Sequence, residues 1–470
     1  MSTTVRSRAH RSWPRWRTAA CVAARAVIHS RRGRIAVLAA GIACIVSPTH
    51  AERPATTASA TPQQDGATAE PVGDLTLRKA LALALERSPE IQSFSWEVRA
   101  RDARVLQAGL RPNPELRAEG ENLGGSGDRR GFEETETTIL LSQLIELGGK
   151  RGKRERLAAL GSALATWDYE AKRLHVLSET SKAFVQTLAA QERVALAAEL
   201  ERLATDGVRA VGTQIEAGGA SPVESTRARV VLGRAGLERQ RAERELVAVR
   251  STLAATWGST RPTFARVVGD LGELRPPPAL DDLAARLEKS PDVARWETEL
   301  EERRAALSLE KAGGLPDVRL GAGGRHFSDN GDNALVVELT VPLPVFNRNQ
   351  GAIGEAEHRL AKARSEQASA YAAAQAALST AASRLAAAYE QANGLRTNVL
   401  PQAKASLEGV LDAYRKGLFR MVDVLDAQRT LFDLRSDYLT ALESYHVLAA
   451  EVERLTGTQE LPSDTERGAP

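Results

Sequence analysis

The chain has 470 residues, of which only 4% are aromatic, and Ala, Leu, Arg and Glu dominate. That composition favours long helices over a thick globular core. The formal charge of +3 misleads, because residues 1–51 hold nine Arg and no acid, leaving 54 basic and 60 acidic side chains for the rest. The body of the chain is acidic, and a nucleic-acid partner is not indicated.

Residues 1–51 read as an export signal. An Arg-rich stretch to Arg34 precedes the apolar run Ile35 to Val46, and small residues follow to Ala51. Such a run is too short to span a bilayer and suits a cleaved h-region; the alternative is a basic cytosolic tail. Both cysteines, Cys21 and Cys44, fall inside this segment, and Gly41-Ile42-Ala43 before Cys44 makes a poor lipidation site. The mature chain is then expected to carry no thiol and no disulfide. Residues 52–73, rich in Ala, Thr and Pro, read as a flexible linker.

Helical spacing runs from Leu75 to Arg87 and again from Pro89 to Gly109, where Pro112 and Pro114 stop it. Glu115–Glu121 is polar and ambiguous. Beyond the glycine-rich loop NLGGSGDRRG, Thr135, Thr137, Ile139 and Leu141 alternate with Glu136, Thr138, Leu140 and Ser142. That period of two marks a strand with one apolar face. From Lys150 to Ile215 there is no proline and the pattern stays helical, which at 1.5 Å per residue reaches roughly 100 Å. A turn at Ala217–Glu224 leads to a shorter returning helix, Pro222–Trp257.

The order then repeats. Ser88-Pro89-Glu90 returns as Ser290-Pro291-Asp292, Gly218 as Gly417, and Gly258 as Gly457. Alternation at 318–323 and 334–343 flanks the turn Asp329-Asn330-Gly331-Asp332-Asn333. Gln350 to Arg415 matches the first long helix, except that Pro401 should kink it. Sixteen of the forty residues Gly351–Glu390 are Ala, which raises helix propensity. Met421–Thr456 returns from a second turn at Lys416–Val424. The domains implied are 1–51 signal, 52–73 linker, 74–258 first repeat, 259–280 connecting equatorial segment, 281–457 second repeat and 458–470 tail. The fold class expected is mainly α with a small β part: long coiled-coil helices that line up across subunits, plus four strands per protomer. No helix has the length and hydropathy of a membrane span, so a membrane role falls to the strands, and several copies must pool them to close a barrel.

No catalytic grouping is visible. LGGKRGKRER at 147–156 fails the phosphate-loop spacing, with Leu144 where the first Gly belongs and Arg151 in place of Ser or Thr. It reads instead as a strand-to-helix junction with its bases in water or near lipid headgroups. His175, His326, His358 and His446 are scattered without metal-ligand spacing, so no metal site and no cofactor are expected.

The stretches LRPNPELRAEGENLGGSG, ETTILLSQLIELGGKR, VPLPVFNRNQG and GLFRMVDVLDAQRTL resemble the TolC family of outer-membrane efflux ducts, especially its CzcC-like branch serving heavy-metal pumps. With the repeat order, the resemblance covers nearly all of residues 74–457. It implies a homotrimer whose strands form one barrel in outer-membrane lipid and whose helices extend into the periplasm. It also implies a periplasmic adaptor protein and an inner-membrane RND pump as partners, and an exit duct for cations such as cobalt, zinc or cadmium. Multidrug or type I secretion ducts are the alternative, and a periplasmic coiled-coil structural protein or adaptor is another class.

The resemblance also carries candidate residues. Gly218, Ser221, Glu224, Gly417 and Val422 fall at the tips that would dock the adaptor. Asp423 and Asp426 match acidic residues near the tunnel constriction, where copies from three subunits would form carboxylate rings. Asp423 alternatively caps its helix. Tyr414 and Arg415 match the gate region, or else they are coiled-coil packing and a solvated Arg. The first tip, Ser221-Pro222-Val223-Glu224, lacks an Asp pair and is not expected to add a ring.

Overall fold

A computed structural model describes residues 70–218 and 221–457. The expected signal, most of the linker and the tail lie outside the described residues. The elements are β1 (Gly73–Thr76), α1 (Leu77–Arg87), α2 (Pro89–Ala108), β2 (Glu115–Glu121), β3 (Glu136–Ile145), α3 (Lys150–Glu216), α4 (Pro222–Ala255) and β4 (Phe264–Val268). They continue as α5 (Leu280–Leu287), α6 (Pro291–Gly313), β5 (Val318–Phe327), β6 (Asn333–Thr340), α7 (Gln350–Gly394), α8 (Leu400–Arg415) and α9 (Met421–Thr456). The order helix, helix, strand, strand, long helix, returning helix thus appears in residues 77–255 and in 280–456.

β2, β3, β5 and β6 form one antiparallel sheet in that order. Register sorts its charged side chains onto one face. One face holds Leu116 and Ala118, then Ile139 and Leu141, then Leu320 and Ala322, then Leu335, Val337 and Leu339, without a charged residue. The other holds Glu115, Arg117, Glu119, Glu121, Glu136, Arg319, Arg325 and Glu338. On that face Arg319 pairs with Glu115 at 2.5 Å, and Arg325 with Glu136 at 2.8 Å and Glu121 at 3.3 Å. The polar segment Glu115–Glu121, ambiguous in sequence, is a strand because its odd residues meet this charged face. The uncharged face is solvent-exposed within one copy, the reverse of the arrangement in water-soluble sheets.

Part-way along the long helices the chain makes its core. Leu75, Phe184, Leu188, Leu253, Trp257, Phe264, Val267 and Leu442 cluster where β1 and β4 lie against α3, α4 and α9. A second cluster joins Leu283 and Leu287 of α5 to Leu378 and Leu385 of α7 and to Tyr445, Val452 and Leu455 of α9. α3 runs past both halves, packing against α2 and α6 along one stretch and α4 and α9 along another. Its middle stretch, Ala183–Ala190, buries nearly every side chain, as expected of a helix surrounded on all sides.

Several expectations need correction. The first helix does not begin at Leu75: Gly73–Thr76 is a strand pairing in parallel with β4, and Thr76 caps α1 by accepting from the Lys79 amide. The connecting segment 259–280 therefore contributes to the core through Phe264 and Val267. The last strand ends at Thr340 rather than 343, since Pro342 and Pro344 cannot donate to a ladder. The break expected at Pro401 is present, and it takes the form of a π turn, Leu395–Val399. Proline lacks the N–H and crowds the carbonyl one turn back, and widening that turn relieves both faults. Lastly, three of the five bases of LGGKRGKRER are held by the fold rather than by water. Lys150 pairs with Asp317 at 2.7 Å, Lys153 donates to the Ser308 carbonyl, and Arg154 pairs with Glu146. Arg151 and Arg156 stay exposed, the latter reaching Glu301 at 2.9 Å.

Candidate functional site

The two helix-to-helix turns lie at the far ends of α3–α4 and α8–α9, and each is fixed by local chemistry. After α8, the Gly417 amide donates to the Tyr414 carbonyl and the Leu418 amide to the Ala413 carbonyl. This Schellman closure needs a left-handed residue, and Gly417 supplies it with φ +71°. After α3, Gly218 has φ +75° and donates to the Ile215 carbonyl. Ser221 then starts α4: its hydroxyl accepts from the Val223 amide, and Pro222 occupies the first helical position. Glu224 sits in that first turn, where the exposed amides favour an acid. Residues 219–220 lie outside the described residues.

Apolar side chains stand out at these turns. Leu418 is 75% exposed, and Phe419, Val422 and Val223 are exposed as well. Val424, in contrast, is buried against the neighbouring helices.

Asp423 accepts the Arg420 amide at 2.8 Å, and its own amide donates to the Arg420 carbonyl. The carboxylate thereby closes the first turn of α9, the capping alternative raised by the sequence. Asp426, one turn on, is exposed and has no hydrogen-bond or ion-pair partner for its carboxylate among the described residues. With Val422, Arg429 and Asp433 it follows the spacing of one exposed helical stripe. Arg429 is drawn to Asp433 at 3.6 Å rather than to Asp426.

Tyr414 and Arg415 part company. The half-buried Tyr414 hydroxyl accepts from Gln214 Nε2 at 2.6 Å, linking α8 to α3. Arg415 is exposed and unpaired among the described residues, while its neighbour Lys416 folds back on Asp412 at 2.5 Å. Gln214 was missed by sequence reasoning. Its one available signal is spacing: it precedes Tyr414 by 200 residues, close to the interval separating Gly218 from Gly417.

No helix among the described residues is long and apolar enough to cross a membrane. Among those residues, no group of three or more His, Cys, Asp or Glu could hold a metal ion. His446 is half-buried, donating from Nε2 to the Leu271 carbonyl at 2.9 Å, and His326 meets Asn333 at a strand end.

The model of the outer membrane efflux protein family matches residues 80–259 and 283–458. The chain belongs to that family. The efflux protein is 34% identical over 388 residues to the cobalt-zinc-cadmium resistance protein CzcC of Cupriavidus metallidurans, covering 83% of this chain and 91% of that relative. Among solved structures, it resembles a membrane protein from Pseudomonas aeruginosa at TM-score 0.71 and 19% identity, covering 81% of this chain and 92% of the other. It resembles the CmeC outer membrane channel of Campylobacter jejuni at TM-score 0.69 and 18% identity, over 81% and 85% of the two chains. The mainly helical fold with a small sheet is that of these solved structures, and the efflux protein is an outer-membrane protein.

Proposed function

We propose that three copies of this efflux protein close into one duct that carries heavy-metal cations out through the outer membrane. The observation that carries the reading is a set of matched free edges. The sheet leaves β2 and β6 without a second neighbour among the described residues. The helices run α2, α3, α6, α7 in one layer and α4, α3, α9, α8 in the other, so the outermost helices also come from opposite halves of the sequence. A ring of copies satisfies all three layers by one rotation, β6 meeting the next copy's β2, and only closure removes strand edges in lipid. The uncharged sheet face then meets lipid and the charged face lines water. The two sequence halves, 74–258 and 281–457, act as duplicated units joined by 259–280.

At the tips, Gly218, Ser221, Glu224, Gly417 and Val422 belong to surfaces that receive a periplasmic adaptor, and the exposed Leu418 and Phe419 supply apolar contact. Asp426, free of partners, forms the cation-attracting ring, and Asp423 lends its remaining oxygen while capping α9. The Tyr414–Gln214 bond holds the tip closed. An inner-membrane RND pump provides the energy, and the duct provides a water-filled path. The metal assignment is supported by the name of the relative CzcC, which covers nearly the whole length.

Two experiments test this. Reconstituted protein in planar bilayers should conduct, with Asp426→Asn lowering cation preference; a conducting channel indifferent to that change removes Asp426 from the pathway. Deleting the gene should lower tolerance to cobalt, zinc or cadmium, and unchanged tolerance to all three rules out the metal assignment.

A further inference from the structure

The four junctions between helices and sheet, 109–114, 146–149, 314–317 and 341–349, are drawn together at one level under the sheet. Gln143 Nε2 donates to the Pro112 carbonyl at 2.9 Å, the Leu147 amide to Asp317 Oδ1 at 3.0 Å, and Lys150 Nζ to the Leu315 carbonyl at 2.7 Å. Asn349 Nδ2 donates to the Glu310 carbonyl at 2.8 Å. This belt uses Lys150, Lys153, Arg154 and Arg156 for its own cohesion. It leaves Arg111, Arg151 and Arg348 exposed, each without an ion-pair partner among the described residues.

At the level of these arginines stands an apolar segment on which nothing packs among the described residues. Phe346 is 92% exposed and Leu343 79%, with Val345 between them. Pro342 and Pro344 keep the segment extended, because proline fixes its own φ and drives the preceding residue out of the helical region. Leu147 and Leu315 are exposed on neighbouring junctions. The uncharged sheet face runs down to this level, ending at the exposed Ile145.

We propose that this belt is a phospholipid-binding collar, in which the 343–346 segment enters the acyl boundary and Arg111, Arg151 and Arg348 hold the phosphates of anionic headgroups. The inference rests on the barrel reading above, since it needs the sheet face to meet lipid. Continuity with that face selects a bilayer over a protein partner. Guanidinium groups left unpaired beside bulky apolar side chains match a headgroup layer lying directly over hydrocarbon. The paired bases of the same belt show that the free ones are not surplus charge held by the fold.

The test uses the exported protein, from residue 52 onward, in vesicles. Both native cysteines precede residue 52, so Val345→Cys gives a single labelling site in the exported chain while Phe346 stays in place. A bimane label there should be quenched by brominated lipid and shielded from aqueous iodide. At equal mole fraction, brominated phosphatidylglycerol should quench better than brominated phosphatidylcholine, by up to about five-fold per arginine engaged. The preference should vanish in Arg111→Gln/Arg151→Gln/Arg348→Gln and survive the corresponding Lys triple variant. Iodide quenching without lipid quenching places the segment in water and overturns the collar. Quenching by neither means that another copy or another protein covers it, which also overturns it, and equal quenching by both lipids removes the headgroup role. Conductance of the same vesicles separates the two levels: conducting vesicles that fail the quenching test sink the collar alone, whereas protein that neither inserts nor makes the vesicles conduct ions sinks the barrel.

Discussion

Replacing Tyr414 with Phe removes one hydroxyl and leaves the ring, so it isolates the bond that the hydroxyl accepts from Gln214 at 2.6 Å. A neutral hydrogen bond contributes about 0.5–1.5 kcal/mol net. In a symmetric trimer whose tip opens as a unit, three such bonds break together, which amounts to about 3 kcal/mol. That is roughly a 100-fold shift of the closed–open balance toward open. If copies open one at a time, the shift is only about five-fold, from a single bond of about 1 kcal/mol. Open probability in planar bilayers distinguishes the two. Gln214→Ala should produce a similar shift, and the double variant should add little, because both changes remove the same bond. Additive effects, or a Tyr414→Phe channel that opens no more often than the parent, refute the latch.

Gly323 faces the β3 backbone so closely that an added Cβ would lie 2.0 Å from the Ile139 carbonyl oxygen. Gly323→Ala should therefore part β3 from β5 and cost at least about 3 kcal/mol by overpacking and broken ladder bonds. Gly324→Ala, whose Cβ meets nothing nearer than 3.8 Å, should be tolerated. Heat-resistance of the assembled species on gels reads both, and equal behaviour of the two variants contradicts the assigned faces. Burial holds the His446 pKa below the ordinary histidine value, against the pull of its bond to the Leu271 carbonyl and of Glu273 and Asp270. Below about pH 6.5 the unfolded chain then binds a proton that the folded one resists, so stability present at neutral pH falls with acidification. His446→Gln should flatten that slope in thermal melts between pH 7.5 and 5, and an unchanged slope assigns it to other groups.

The sequence by itself determined the long helices and the strands that alternate clearly, β3, β5 and β6. Sixty-seven residues of α3 contain no proline, and nothing in such a run interrupts the i to i−4 ladder. Strand alternation in 335–341 needs no tertiary information either, because side-chain direction flips at every residue. The tip turns were equally legible, since a left-handed turn leaves few residue choices besides Gly417 and Gly218.

Tertiary structure alone decided what lies across the gap in sequence. Gly73–Thr76 becomes a strand only because Phe264–Val268 comes alongside it, a pairing between segments about 190 residues apart that no local pattern encodes. The same holds for Gln214 finding Tyr414 and for Lys150 finding Asp317. Whether a lysine in LGGKRGKRER is solvated or bound depends on which carboxylate the fold delivers, and Asp317 arrives from the other half of the chain. Periodicity reports which way a side chain points; only the assembled chain reports what it meets there.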